Sequence, residues 1–285
     1  MLADLVPVQT ADGVVLWGAY LAPTVSARAL PVDAVCWFHG DTGSFHRQLY
    51  LDLGARFAAQ GVAFLSANRR GHDLVANGAA DGPLQGYAHE TVSEAPLDYA
   101  AWFALLRARG HRAIAIAGHS GGAVRAVYTQ ATAPLDDVRA VLAVSPGEYD
   151  HDGLRALHDP LFAETYARAE QLVAAGEPDA YLRPGIPWGA SWTAARFVDC
   201  FHADNRYSVV RRAPSVGVPA LFVFGGEECA LGGAEELPVC GYAMRTLRAA
   251  ALPGVTVEVV EGANHGYVER GPALFETLRG WLARL

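Results

Sequence analysis

Short, continuous apolar runs recur along this chain, each followed by a segment with helical spacing. "VDAVCWF" (32–38), "VAFLSA" (62–67), "AIAIAG" (113–118), "VRAVLAVS" (138–145), "PALFVFG" (219–225) and "VTVEVV" (255–260) have the length and β-branched content of strands buried on both faces. Between them, "HRQLYLDLGARFAAQG" places Leu49, Leu53, Phe57 and Ala58 on one helical face and stops at Gly61. "EAPLDYAAWFALLRARG" reads as a helix capped by Ser93, with Pro96 tolerated in its first turn. Further helices are expected from the serine-glycine turn to about Ala133, near 234–250 and from Pro272. Strands alternating with helices require right-handed crossovers, so the expected fold class is α/β, a mostly parallel sheet covered on both faces. "LVPVQT" and "VVLWGAYLAP", joined at Asp12-Gly13, open it as a hairpin.

The rhythm breaks once. From 146 to 214 no buried-strand run occurs; a helical stretch gives way to Pro- and Trp-rich sequence. The expected organisation is therefore a core of 1–145 and 215–285 with a helical cap, 146–214, inserted between two strands over one end of the sheet.

Composition narrows the partners. With 52% hydrophobic and 18% charged residues over 285 positions, the chain can bury a large core. A net charge of -8 argues against nucleic acid or an anionic membrane surface as partner, since neither attracts an acidic protein. No run of 18 apolar residues is present, and the N-terminus lacks the pattern of a signal peptide, so a cytoplasmic address is expected. Cys36, Cys200, Cys229 and Cys240 are scattered without a C-x-x-C pair, as buried reduced thiols would be. A homodimer is left open.

Chemistry concentrates where "AIAIAG" ends. Gly118-His119-Ser120-Gly121-Gly122 fits G-x-S-x-G between a strand and a helix, the context in which a serine is held on a strained turn with its hydroxyl exposed. Such a serine needs a base. Of ten histidines, His265 lies in the loop between the last strand and the last helix, where the order serine, acid, histidine would place it. For the acid, Glu228 stands three positions past Gly225, with Glu227 as its neighbour and Glu148, after "VLAVS", as a second location. Two backbone donors must hold the oxyanion: Gly121, after the serine, and Asp41 or Thr42 in the loop "HGDTGS". His39 reads as a brace for that loop.

These four segments, "FHGDTGS", "GHSGG", "FGGEE" and "GANHG", together resemble the α/β-hydrolase superfamily. "NRRGHD" (68–73) is similar to an Arg-Gly loop that is structural in many members, and "WTAARFVDCF" is faintly similar to the siderophore ester hydrolases within the superfamily. Two departures stand out: many members carry aspartate where Glu228 stands, and Asp41 occupies a position that is commonly apolar. The resemblance implies acyl transfer by a Ser120-His265-Glu228 triad through an acyl-enzyme, on a carboxylic ester, lactone or thioester, with no cofactor or metal. The alternatives are a non-hydrolytic biosynthetic enzyme of this fold, such as a lyase, epimerase or acyl transferase, and a ligand-binding protein.

Two further readings concern the insertion and its entrance. Its aromatics suggest a pocket for a small-molecule, largely apolar acyl substrate, with Trp188 and Trp192 facing it. "GEYDHDG" gathers Glu148, Asp150, His151 and Asp152, which read as a polar loop rather than a metal site, because nothing in their spacing imposes convergence.

Overall fold

β5 (Ile114–His119) runs through the middle of a single eight-stranded sheet, and every residue of it is buried. Its parallel neighbours are β3 (Ala34–Phe38) and β6 (Val138–Val144). The full order is β1 (Asp4–Gln9), β2 (Val15–Leu21), β4 (Ala63–Ala67), β3, β5, β6, β7 (Ala220–Gly225), β8 (Val255–Val260). The β1–β2 and β2–β4 pairs are antiparallel and every other pair is parallel, as the alternating sequence required. The computed structural model describes residues 2–185, 191–229 and 238–285.

Both faces of the central strands are covered because both sets of alternating side chains are apolar. Val35, Trp37, Ala115 and Ala117 point into one core, with Leu53 and Phe57 of α1 (Gln48–Ala58) and Leu274 and Leu278 of α10 (Gly271–Leu282). Cys36, Phe38, Ile114 and Ile116 point into the other, with Tyr99 and Phe103 of α2 (Ala95–Ala108) and Ala123 and Val127 of α3 (Gly121–Thr132). Edge strand β8 is only half-buried. The α2 entrance differs from expectation: Glu94 stands at the N-cap position of α2, and a 3₁₀ turn, Val92–Glu94, leads into it. Thr91, not Ser93, caps that turn, its backbone N–H donating to Glu94 in a capping box while Ser93 lies inside the turn. Thr91 wins because Glu94 falls three residues after it, where a carboxylate can reach back.

Between β6 and β7 the described residues include α4 (His151–His158), α5 (Leu161–Ala174), α6 (Ala194–Cys200) and α7 (Val209–Arg212), with irregular chain and a Tyr181–Thr193 bridge between α5 and α6. Phe162, Trp192, Phe197 and Phe201 pack on one another there, and Trp192 also meets Tyr87 of the loop after β4 at 4.7 Å between ring centroids. A short α8 (Gly226–Cys229) follows β7, and α9 (Pro238–Ala250) precedes β8. The chain passes from β3 to β4 on one side and then crosses to β5 on the other. The carboxyl ends of β3 and β5 therefore flank a topological switch point, where open α/β sheets bind ligands.

Candidate active site

Ser120 stands on the turn between β5 and α3 with φ 54° and ψ -126°, a conformation rare for a residue with a side chain. The turn is possible because its flanks are glycine. A Cβ on Gly118 would fall 2.3 Å from the Gly122 carbonyl carbon, and one on Gly122 would fall 2.4 Å from the His39 carbonyl oxygen. The Ser120 N–H is held by the Val144 carbonyl at 2.8 Å, which ties the turn to β6.

The loop after β3 lies against this turn. The Gly43 N–H donates to the Gly40 carbonyl at 3.1 Å, closing a tight turn with Asp41 and Thr42 at its centre, and a Cβ on Gly40 would sit 3.1 Å from that of Ser120. Thr42 has φ 53°. His39 is fully buried and braces the loop: its Nδ1–H donates to the Gly40 carbonyl at 2.7 Å, and its Nε2 accepts from the Arg69 N–H at 3.3 Å. Burial, reinforced by the Arg69 charge, keeps its pKa well below the ordinary value and the ring neutral.

Glu228 follows β7 on α8 and is completely buried. Its Oε2 is 2.5 Å from His265 Nδ1, while Oε1 accepts from the Ser145 hydroxyl at 2.5 Å and the Gly225 N–H at 2.7 Å. The other candidate acids lie elsewhere. Glu227 is exposed, and Glu148 turns to the start of α7, accepting from the Val210 N–H at 3.2 Å. Burial pushes the Glu148 carboxyl up to about 8. His265 is partly exposed, in the loop after β8.

His119 enters the site without having been singled out from the sequence. The Gly40 N–H donates to the Tyr50 hydroxyl at 3.1 Å, Tyr50 donates to His119 Nδ1 at 3.1 Å, and His119 Nε2–H donates to the His265 carbonyl at 2.8 Å. The tautomer follows from the carbonyl, which only accepts. Burial and the neighbouring His265 lower the His119 pKa to about 3, so the ring is neutral across the physiological range. One chain of hydrogen bonds thus joins the loop after β3 to the loop after β8.

A second missed group is ionic. Asp41, Arg69, Glu90 and Arg125 alternate in charge around a closed ring beside Ser120. In the neighbouring "NRRGHD" loop, Arg70 is bound instead by Asp98, Asp12 and Glu94, which fixes that loop on α2.

The two tryptophans part company. Trp188 lies outside the described residues. Trp192 is 2% exposed among Tyr87, Phe197 and Phe201, so its placement is that of a packing residue and not of a side chain facing an open pocket. In "GEYDHDG", Asp150 caps α4 through the Gly153 N–H and His151 Nδ1–H donates to the Phe201 carbonyl, so the side chains face different partners. Among the described residues, Glu228, Cys240 and His265 can bring three metal-ligating atoms within 4.8 Å of one another, but the glutamate there already accepts from Ser145, Gly225 and His265.

Comparison with known proteins agrees with this architecture. No functionally curated sequence matches the chain. Among solved structures, Est1E from Butyrivibrio proteoclasticus with bound ferulic acid superposes with a TM-score of 0.64 at 16% identity, over 97% of this chain and 98% of its own. The alpha/beta hydrolase GrgF from Penicillium sp. sh18 gives 0.66 at 14% identity, over 100% and 99%. The monoacylglycerol lipase of Paleococcus ferrophilus gives 0.64 at 18% identity, over 94% and 98%. At these identities the likeness is one of fold. The model of the alpha/beta hydrolase family matches residues 32–277, and the chain belongs to that family.

Proposed function

We propose that this chain is a serine hydrolase that cleaves a carboxylic ester, lactone or thioester through an acyl-enzyme on Ser120. The observation that carries the reading is the buried Glu228 carboxylate 2.5 Å from His265 Nδ1, in a loop bonded through His119 to the strained turn that bears the serine. Glu228 holds the Nδ1–H tautomer, which leaves Nε2 free to take the Ser120 proton as the hydroxyl attacks the carbonyl carbon. The Gly121 N–H, at the start of α3 where the first amides have no helical acceptor, and the N–H of Asp41 or Thr42 receive the developing oxyanion. The imidazolium then protonates the leaving group. Water repeats the sequence on the acyl-enzyme, and no group outside the chain is called for.

The helices between β6 and β7 serve in this reading as a cap over the serine, with residues 146–214 as the insertion and 1–145 with 215–285 as the core. Their aromatic content supports a small-molecule substrate with a largely apolar acyl part. Est1E and the Paleococcus protein have the same fold, and the second, a monoacylglycerol lipase by name, lends the reading further support. The test is reaction with a fluorophosphonate probe alongside a panel of activated esters of graded chain length. Labelling of one serine with ester turnover is expected; turnover without labelling, or neither, would refute the proposal.

A further inference from the structure

The ionic ring beside Ser120 has one member at its border. Arg69 Nη2 is 2.6 Å from Asp41 Oδ1, Arg69 Nη1 meets Glu90 Oε1, Arg125 Nη2 is 2.5 Å from Glu90 Oε1, and Arg125 Nη1 is 3.6 Å from Asp41 Oδ1. The side chains of Arg69, Glu90 and Arg125 are at most 2% exposed, whereas that of Asp41 is 10% exposed. Two cations and two anions cancel, which is what allows four charges to be buried together. The ring also accounts for the glycine of "NRRGHD": a Cβ on Gly71 would fall 2.0 Å from the Glu90 carboxyl carbon.

The ring is built into the reacting end of the fold. Arg125, on α3, donates to the Gly121 carbonyl at 3.1 Å and to the Tyr149 hydroxyl at 3.2 Å. The Asp41 carboxylate lies directly on Gly121, where a Cβ would come within 1.9 Å of Oδ1. Oδ1 is occupied by the guanidiniums. Oδ2 receives, among the described residues, one long hydrogen bond, 3.4 Å from the Tyr149 hydroxyl. A carboxylate oxygen accepts two good bonds, so Oδ2 retains capacity beside the oxyanion site. A bare carboxylate there would oppose the oxyanion; Arg69 and Arg125 offset its charge and leave its hydrogen-bonding power.

We propose that Asp41 Oδ2 accepts a hydrogen bond from a hydroxyl group on the acyl chain close to the scissile carbonyl, making hydroxyacyl esters the preferred substrates. This rests on the serine-hydrolase reading. The cancelled charge of the ring selects a neutral donor over an ammonium, because it removes the net field that would draw a cation in.

The experiment compares kcat/KM for 4-nitrophenyl butyrate with its α-hydroxy, β-hydroxy and α-ammonio analogues in the wild type, Asp41→Ala and Asp41→Asn. Using the ratio of substituted to plain ester cancels any general damage to the site. One hydroxy analogue is expected to exceed the plain ester by about tenfold or more, with the ratio falling to about one in Asp41→Ala. If Asp41→Ala does not fold, Asp41→Asn, which keeps an acceptor but loses the charge, is expected to show an intermediate ratio. A wild-type ratio near one, an undiminished ratio in both variants, or a larger gain for the ammonium ester would overturn the assignment. Calorimetric binding of the same esters to Ser120→Ala reads the preference without turnover. Absent turnover and absent probe labelling would defeat the serine-hydrolase reading, while equal binding of hydroxy and plain esters defeats the Asp41 assignment alone.

Discussion

Glu228 uses both carboxylate oxygens at once, Oε2 toward His265 Nδ1 at 2.5 Å and Oε1 toward Ser145 Oγ at 2.5 Å and the Gly225 N–H at 2.7 Å. An amide cannot repeat this arrangement. In Glu228→Gln the single carbonyl oxygen stays with Ser145 and Gly225, and the NH₂ group faces Nδ1 and reverses the tautomer of His265. The variant is expected to lose about 10³- to 10⁴-fold in kcat with KM little changed. Glu227→Gln, at an exposed site, and Glu148→Gln, at the start of α7, are expected to stay within about twofold of the wild type. Steady-state kinetics on the three variants decides, and a larger loss in Glu148→Gln would move the acid to the loop after β6.

Glu148 should instead be visible in stability. One of its oxygens, Oε2, accepts from Val210, and Oε1 is buried without a hydrogen-bond partner among the described residues, so the folded protein favours the protonated form. Its pKa rises from 4.5 to about 8. A carboxyl whose folded pKa is raised contributes most below the unfolded value, and that contribution is lost as pH climbs to about 8. The wild-type Tm is therefore expected to fall over this interval more steeply than that of Glu148→Gln. Scanning calorimetry at several pH values checks it; parallel curves would contradict it.

His119 positions two loops through the bonds from Tyr50 and to the His265 carbonyl. Its removal frees the loop that carries the base. His119→Ala is expected to lower kcat by about 10- to 100-fold while KM changes little, and Tyr50→Phe to lower it less. Equal losses of kcat and of thermal stability across both variants would assign the chain of bonds to folding alone.

Much of this was legible in the sequence because it is local. Apolar runs such as "AIAIAG" reported strands buried on both faces, and glycines two positions before and after Ser120 reported a close approach of backbones. What escaped depends on partners far apart in the chain. Arg125 stands out as a lone charge among the apolar residues of α3, but its carboxylate, Glu90, is 35 positions away, and Asp41 lies 28 positions from Arg69. His119 sat inside the motif and still gave no sign, since its role comes from Tyr50, 69 positions earlier. Trp192 was misleading for another reason. Aromatic spacing is the same for a pocket wall and for a small core, and burial, not sequence, separates them.

Trp192 accordingly makes a stability prediction. Its ring fills the space between Tyr87, Phe197 and Phe201, so Trp192→Ala is expected to cost about 3–5 kcal/mol, and Trp192→Phe less. Denaturant unfolding measures this. A change confined to the KM of bulky esters, without loss of stability, would return Trp192 to the substrate pocket.

The central claim is that Ser120 is the nucleophile, and intact mass after fluorophosphonate treatment tests it most directly. The wild type is expected to gain the mass of one phosphonyl group, mapped by peptide sequencing to Ser120, and Ser120→Ala to gain none and to lose ester turnover. Labelling of another residue, or turnover retained in Ser120→Ala, would contradict the account.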